Sequence, residues 1–526
     1  MAFATIRNMP IEPLPTTTPD PAAAGGPAGL PINLPIDQPT HLPTILPTHL
    51  PTDLPPRLLA HLQALSHGLL ERETAARLLL LAALAGEHVL LIGPPGTAKS
   101  ELARRLHRVF EGARYFERLL TRFSTPEELF GPLSLKALEE DRYERLIDGY
   151  LPTAGVAFLD EVFKANSAIL NALLTLLNER EFDNGTARLR TPLISVIGAS
   201  NEAPTDESLL AFHDRFLLRV PVAPVSDAAF ADLLALTHHP APDLPAPLTA
   251  ADRAALLAAC AGVALGDEAP PAMAVLRGVA AGLGLTVSDR RWRQLVALMR
   301  CAAASEGRDT LDALDLWLAP YVLSHDARTV AALTDWVTAQ LAQAVAQPLT
   351  WLDHAVCAFE KQLDLEQRLP AADDTSLDDR AGKLALARAI GLGDRADDTD
   401  TGGTGPGGDG GLQRIRARTL EDRLRRRFSP VHIAARSAQV DALRQRADAA
   451  CASVQQAHDR LVQRLAHRLW LPPALAQSGL DAHRQTLATL AGLQARLAVT
   501  HAGFAGLLVD EQLPATPPPP VALAPG

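Results

Sequence analysis

The sequence predicts an α/β domain built on a parallel sheet, followed by a smaller helical domain and a helical C-terminal region. Three observations predict it. Continuous apolar runs of strand length alternate with helical spacings between His88 and Val222. Residues 226 to 325 show helical spacing alone. From Val440 to Leu461 apolar residues recur at alternating intervals of three and four, the mark of a packed helix seam.

The bulk numbers bound the rest. A chain of 526 residues exceeds one core, so two or three domains are expected. A net charge of -11 argues against a protein that coats nucleic acid. Cys260, Cys301, Cys357 and Cys451 form no CxxC and no ligand spacing, and so few thiols suit a reducing compartment. The first residues show no basic then apolar leader, and stretches such as Leu78 to Ala85 are too short to span a membrane. A cytoplasmic protein without membrane insertion is expected.

Residues 1 to 55 read as a Pro-rich tail, with a degenerate Leu-Pro-Thr repeat from Leu42. Helical spacing runs from Arg57 to Ala85. Strands are expected at His88–Ile92, Tyr115–Leu120, Val156–Leu159, Leu193–Ala199 and Phe216–Val220. The α/β domain then covers residues 56 to 224 and the helical one 225 to 325. A polar helical region follows at 326 to 390, then a Gly/Asp-rich linker at 391 to 412. Residues 413 to 510 read as a helical hairpin, with a second helix at Ala482–Val499, and 511 to 526 as a Pro-rich disordered tail.

The chemistry concentrates at strand ends. Gly93-Pro94-Pro95-Gly96-Thr97-Ala98-Lys99-Ser100 lies between a strand and a helix that continues with Glu101. Backbone N–H groups of such a loop face inward and the helix N-terminus adds partial positive charge, which suits phosphate. Lys99 would reach the β- and γ-phosphates of ATP and Ser100 would hold Mg²⁺. The strict pattern has glycine before the lysine. Ala98 is tolerable there if its φ is negative. Val156-Ala-Phe-Leu ends in Asp160 and Glu161. Asp160 is placed to hold the metal shell and Glu161 to polarise the attacking water. Asn201, ending a later strand, would sense the γ-phosphate. Arg215, with Arg219 second, is placed to reach a neighbouring subunit's nucleotide, where a guanidinium stabilises developing charge.

These motifs together resemble the MoxR branch of AAA+ ATPases, and within it the RavA (regulatory ATPase variant A) subfamily. The resemblance rests on GPPGTAKS, LLTRFSTPEELFGPLSLKALEEDRYERLIDGYLP, FLDEVFKANSAILNALLTLLNEREFDNG and GASNEAP. It implies an AAA+ P-loop NTPase core with a helical lid and a stalk-like C-terminal region. Arg290 looks like the family's second sensor, contacting the nucleotide from its own lid, with Arg291 the alternative. Phe123 to Pro152 looks like a loop inserted into the second helix. Arg180 to Pro192 reads as a hairpin turning at Asn184-Gly185. The family implies a homo-hexamer that remodels other proteins beside a von Willebrand factor A partner. RavA-type stalks also carry a decarboxylase-docking domain with strands. Residues 370 to 430 show no strand pattern, which leaves that partner open.

The competing reading is a nucleic-acid motor, supported by the arginines from Arg414 to Arg427. The net negative charge and the lack of interleaved aromatics oppose it.

Overall fold

The computed structural model describes residues 50–204, 206–236, 245–343, 349–368 and 426–522. The Leu-Pro-Thr repeat up to residue 49, the Gly/Asp-rich linker at 391–412 and the arginines from 414 to 425 lie outside the described residues.

The segment expected to be one helix is two, α1 (Leu54–Ser66) and α2 (Glu73–Ala85). Gly68 and Glu71 take positive φ between them, which no helix tolerates. Proline in the first turn of α1 extends the helix three residues before Arg57. The α/β domain then follows: β1 (Val89–Ile92), α3 (Lys99–Leu106), β2 (Tyr115–Leu119), α4 (Pro126–Phe130), α5 (Leu135–Glu139), β3 (Val156–Asp160) and α6 (Ser167–Glu179). After it come β4 (Glu181–Asn184), β5 (Ala187–Arg190), β6 (Ser195–Ser200), α7 (Glu207–His213) and β7 (Leu218–Pro221). The five core strands lie in the order β2-β3-β6-β1-β7, all parallel. Val89 and Leu91 bury on one face and Leu90 and Ile92 on the other, so helices cover both. Each expected core strand is present within two residues of its ends.

The inserted segment holds only α4 and α5, five residues each, so no long second helix flanks it. The hairpin β4–β5 forms one residue later than expected. Asn184 pairs with Ala187, leaving Gly185-Thr186 as the turn, and φ is positive only at Gly185. The reason is tertiary. The buried Asn184 amide accepts from the Arg145 N–H at 2.7 Å and donates to the Arg145 carbonyl at 3.1 Å, so it is held as part of a strand.

A short helix α8 (Phe230–Ala235) precedes the lid, α9 (Ala250–Cys260), α10 (Ala269–Gly282), α11 (Asp289–Ser305) and α12 (Ala319–Leu323). The lid is not purely helical, because Ala264–Leu265 and Thr310–Leu311 pair in parallel. Two further helices, α13 (Ala327–Gln343) and α14 (Thr350–Gln367), lead to the long pair α15 (Pro430–Leu465) and α16 (Pro473–Ala505). The second of these extends well past Ala482–Val499 at both ends. Val440, Leu443, Ala447, Val454 and Leu461 are buried along α15, as the seam requires. Leu352, Val356 and Phe359 of α14 close a three-helix core with α15 and α16. The tail expected to be disordered has no regular element from Pro514 to Ala522, yet it is seated. The Pro519 carbonyl accepts from Arg436 at 2.8 Å, and Val521 packs on the three-helix core.

Candidate functional site

The carboxyl ends of β1, β6 and β3 lie side by side, and in such sheets ligands bind there. The loop after β1 is pinned at its base. The Gly93 N–H donates to the Ser200 carbonyl at 3.0 Å. A Cβ on Gly93 would meet the Val222 carbonyl at 2.1 Å, so only glycine fits. Pro94, Pro95 and Gly96 are exposed, and the Thr97 hydroxyl donates back to the Pro94 carbonyl at 3.0 Å. Gly96 and Ala98 both take positive φ, +81° and +65°. The condition set for alanine at this position, a negative φ, is not met. Alanine stands in a left-handed conformation, φ +65° and ψ +24°, that L-residues avoid.

Lys99 opens α3 and is buried. Its ammonium donates to the carbonyls of Gly93 at 2.7 Å and Pro94 at 2.8 Å, inside the loop. Burial pushes its pKa down, while Asp160 and Glu161 act in the opposite direction. Ser100 is half-buried beside it. Glu101 turns away, its carboxylate on Arg105 at 2.8 Å and Arg104 at 3.6 Å.

Across β6, Asp160 ends β3 and accepts from the Glu161 N–H at 3.0 Å. Glu161 sits at φ +51°, which turns its side chain out of the strand. Its Oε1 accepts from the Asn201 amide at 2.7 Å and from Lys164 at 3.2 Å. Asn201 follows β6, the strand between β1 and β3, so these three strand ends bring Lys99, Glu161, Asp160 and Asn201 together.

One part of the site was not legible in the sequence. A cleft of about 420 Å³ beside the loop is lined by Arg72, Val222, Pro224, Tyr321, Val330 and Thr334. The Arg72 guanidinium donates to the Thr97 carbonyl at 3.0 Å and the Ala223 carbonyl at 2.7 Å, tying the loop to the chain after β7. Its walls come from three distant stretches of chain, around residues 71–75, 220–224 and 321–335, so no local spacing marks it.

Comparison with known proteins places this geometry. The model of the MoxR domain in the MoxR-vWA-beta-propeller ternary systems matches residues 56–242, and that of an AAA lid domain matches 279–337. Two uncharacterised proteins of Methanocaldococcus jannaschii are 41% and 56% identical over 249 and 151 residues. These matches cover 47% and 28% of this chain, and span 66% and 40% of those proteins. MoxR of Paracoccus denitrificans is 30% identical over 302 residues, 51% of this chain and 84% of that protein. The chain belongs to the MoxR family of AAA+ ATPases. Its fold is the AAA+ one, a parallel α/β core with a helical lid and a helical C-terminal region.

Within this MoxR-family chain the arginines separate by their partners. Arg219 is buried and engaged by the carbonyl of Ser324 at 2.8 Å, with Asp214 at 3.4 Å, and burial pushes it down to about 9. Arg291 is buried too, on Asp214 at 2.6 Å and the Phe216 and Leu217 carbonyls at 2.9 and 3.2 Å. Both hold the lid on the core. The Arg215 N–H donates to the Phe212 carbonyl at 3.0 Å, while its side-chain Nε is buried without a partner among the described residues. Arg290 is exposed.

Arg290 neighbours Arg291 at the start of α11. It and Arg291 stand around Glu87, whose carboxyl burial pushes up. Glu87 precedes β1, whereas the loop follows it, so the two lie at opposite ends of the sheet. Leu217 precedes β7 in parallel register with β1 and places Arg291 at that same end.

Proposed function

We propose that this MoxR-family chain binds Mg²⁺ and ATP in the loop after β1, hydrolyses ATP, and uses the energy to remodel protein complexes. The observation that carries the reading is the hydrogen bond between Asn201 and Glu161 across the strand ends that face Lys99. It holds a carboxylate where an attacking water would need a base. The donor set fits the ligand. Gly96 and Ala98 at positive φ form an anion nest, Lys99 supplies a cation inside it, and Ser100 and Asp160 supply hydroxyl and carboxylate oxygens. Mg²⁺, when bound, neutralises charge on the phosphate oxygens. The protein's own parts divide as follows. Gly93, Pro94, Pro95, Gly96, Thr97 and Ala98 cradle phosphate with Lys99. Ser100 and Asp160 hold the metal, Glu161 takes the water's proton, and Asn201 orients Glu161. The cleft at Arg72 and Tyr321 takes the base.

Arg215 and Arg290 share the end of the sheet away from their own loop, so the reading assigns both to a neighbour's nucleotide in a ring, a hexamer by the family likeness. The insert and the β4–β5 hairpin form one body through Asn184 and Arg145, with Phe123, Leu135 and Tyr143 exposed on it. That body is the proposed client side. The matching family model names MoxR-vWA-beta-propeller systems, which supports a von Willebrand factor A partner. The RavA likeness rests on the sequence motifs and on the long helical hairpin. No described helix is long and apolar enough to cross a membrane, and the four free thiols support a reducing, cytoplasmic setting.

Purified chain with Mg²⁺ and labelled ATP tests the reading. Glu161→Gln should retain nucleotide and lose turnover by about 10²-fold or more, the usual worth of a general base. Unchanged turnover would refute the base assignment, and a wild-type chain that neither binds nor hydrolyses would refute the whole.

A further inference from the structure

Helix α8 is six residues long, and each of its side chains is exposed. Phe230, Leu233 and Leu234 are spaced i, i+3, i+4 and so share one face, at 53%, 39% and 72% exposure. Leu236 follows at 40%. A single turn and a half with an apolar face in water is not stable by itself, and such a face calls for a partner surface.

A second surface on the molecule has the complementary character. A groove between α10 and α11 is floored by Met273, Trp292 and Val296 and rimmed by Arg290, Arg293 and Arg300. None of these arginines makes an ion pair among the described residues, and Asp289 is the one acid in the groove. The stretch from Asp227 to Leu236 carries two carboxylates, Asp227 and Asp232, and no cation.

The two surfaces cannot meet within one chain. The segment leading into α8 is tied to Glu71, whose carboxylate accepts from the Ser226 N–H at 2.8 Å, just before α2 begins. The groove lies by Glu87, just past the end of α2. A helix of 13 residues separates them by about 20 Å.

We propose that α8 of one copy seats its Phe230–Leu234 face in the Arg290-rimmed groove of the next copy. Two different patches meeting head to tail generate a ring or a filament rather than a two-fold dimer. The contact brings the arginine end of one chain to the nucleotide end of its neighbour, because Val222 and Pro224 of the base cleft lead directly into α8. This deepens the ring reading above and rests on it.

The test mixes two variants that each add one cysteine, Leu234→Cys and Ala297→Cys, in the Glu161→Gln background with Mg²⁺ and ATP. Both positions are exposed. Mild oxidation should join the two variants into a disulfide dimer, absent from either variant alone and from the parent chain with its native cysteines. Leu234→Asp should raise the dissociation constant of the assembly about tenfold or more without changing the monomer's circular dichroism or melting point. Rings seen by sedimentation with no cross-link, or a Leu234→Asp chain that assembles normally, would overturn the α8 contact and leave the ring reading standing. A parent chain that stays monomeric with ATP would overturn both.

Discussion

Ala98 occupies a backbone conformation that L-residues avoid. At φ +65° its methyl approaches the following carbonyl, at about 1–2 kcal/mol. Such strain persists where the surroundings over-determine the chain, as the Gly93–Ser200 bond, the Thr97 hydroxyl and Arg72 do here. Ala98→Gly should therefore stabilise the protein. The gain is reduced by the freer unfolded chain, by about 0.4–1 kcal/mol, so the net expectation is a rise of up to about 1.6 kcal/mol. Urea unfolding with and without nucleotide measures it, and a clear loss of stability would contradict the strained geometry. Glu161 stands at a second positive φ, where the turn out of β3 lets its carboxylate meet Asn201. The residue types of this site could be read in order along the chain. The conformations that make them converge could not, because they depend on contacts from β6, β7 and α2.

At the scale of elements, the C-terminal hairpin is fastened to the lid at its turn. Trp470 is fully buried and its indole N–H donates to the Ser305 hydroxyl at 2.7 Å. Glu306 accepts the N–H groups of Leu469 and Trp470 at 2.7 and 3.1 Å. Arg468 reaches Asp315 at 2.6 Å and also pairs with Asp312, while Arg464 bridges Asp312 and Glu268 at 3.0 and 2.8 Å. Any rotation of the lid would carry with it α15, whose 36 residues extend about 54 Å. Trp470→Ala removes both the packing and the anchor and should cost about 3–5 kcal/mol. We expect an earlier urea transition in which limited proteolysis releases the hairpin before the core. A shift under about 1 kcal/mol would mean that the ion pairs alone fasten the turn. Helix periodicity marked the seam of α15, but its docking end is a loop, HRLWLPP, which carries no periodic signal.

At the scale of the whole molecule, two predictions concern assembly and acid. If Arg215 completes a neighbour's site, Arg215→Ala should leave nucleotide affinity near wild type and lower turnover about 10³-fold or more. Mixing mutant and wild-type chains should then reduce activity out of proportion to the mutant fraction. A strictly proportional loss would remove the case for action between subunits. Burial lowers both His88 and His213 to about 3, against about 6.5 in an unfolded chain. A histidine depressed in the folded state leaves stability intact above pH 6.5 and removes it as the pH falls from there toward 3, by about 1.4 kcal/mol per unit and group. His88 shows why. Its Nδ1 accepts from the Val196 N–H at 3.0 Å, while Nε2 lies 3.2 Å from the Leu177 carbonyl, so only the neutral ring satisfies both. Melting temperature should drop between pH 6.5 and 5, and His88→Gln should show a shallower drop. Equal slopes for the two proteins would refute the assignment.

The order of chemical groups along the chain, the parallel sheet's strands and the family were determined by the sequence alone, since motif spacing and apolar runs are local properties. Tertiary structure alone decided which arginines are structural. Arg219 and Arg291 look no different in sequence from Arg215 and Arg290, and only the carbonyls and the Asp214 carboxylate packed around them engage the first pair. It also decided that the hairpin turns at Gly185 and that Arg72 lines a cleft. Each of these depends on groups far apart in the chain being brought within hydrogen-bonding reach, and the energy of such a contact is set by burial and geometry rather than by neighbours in sequence.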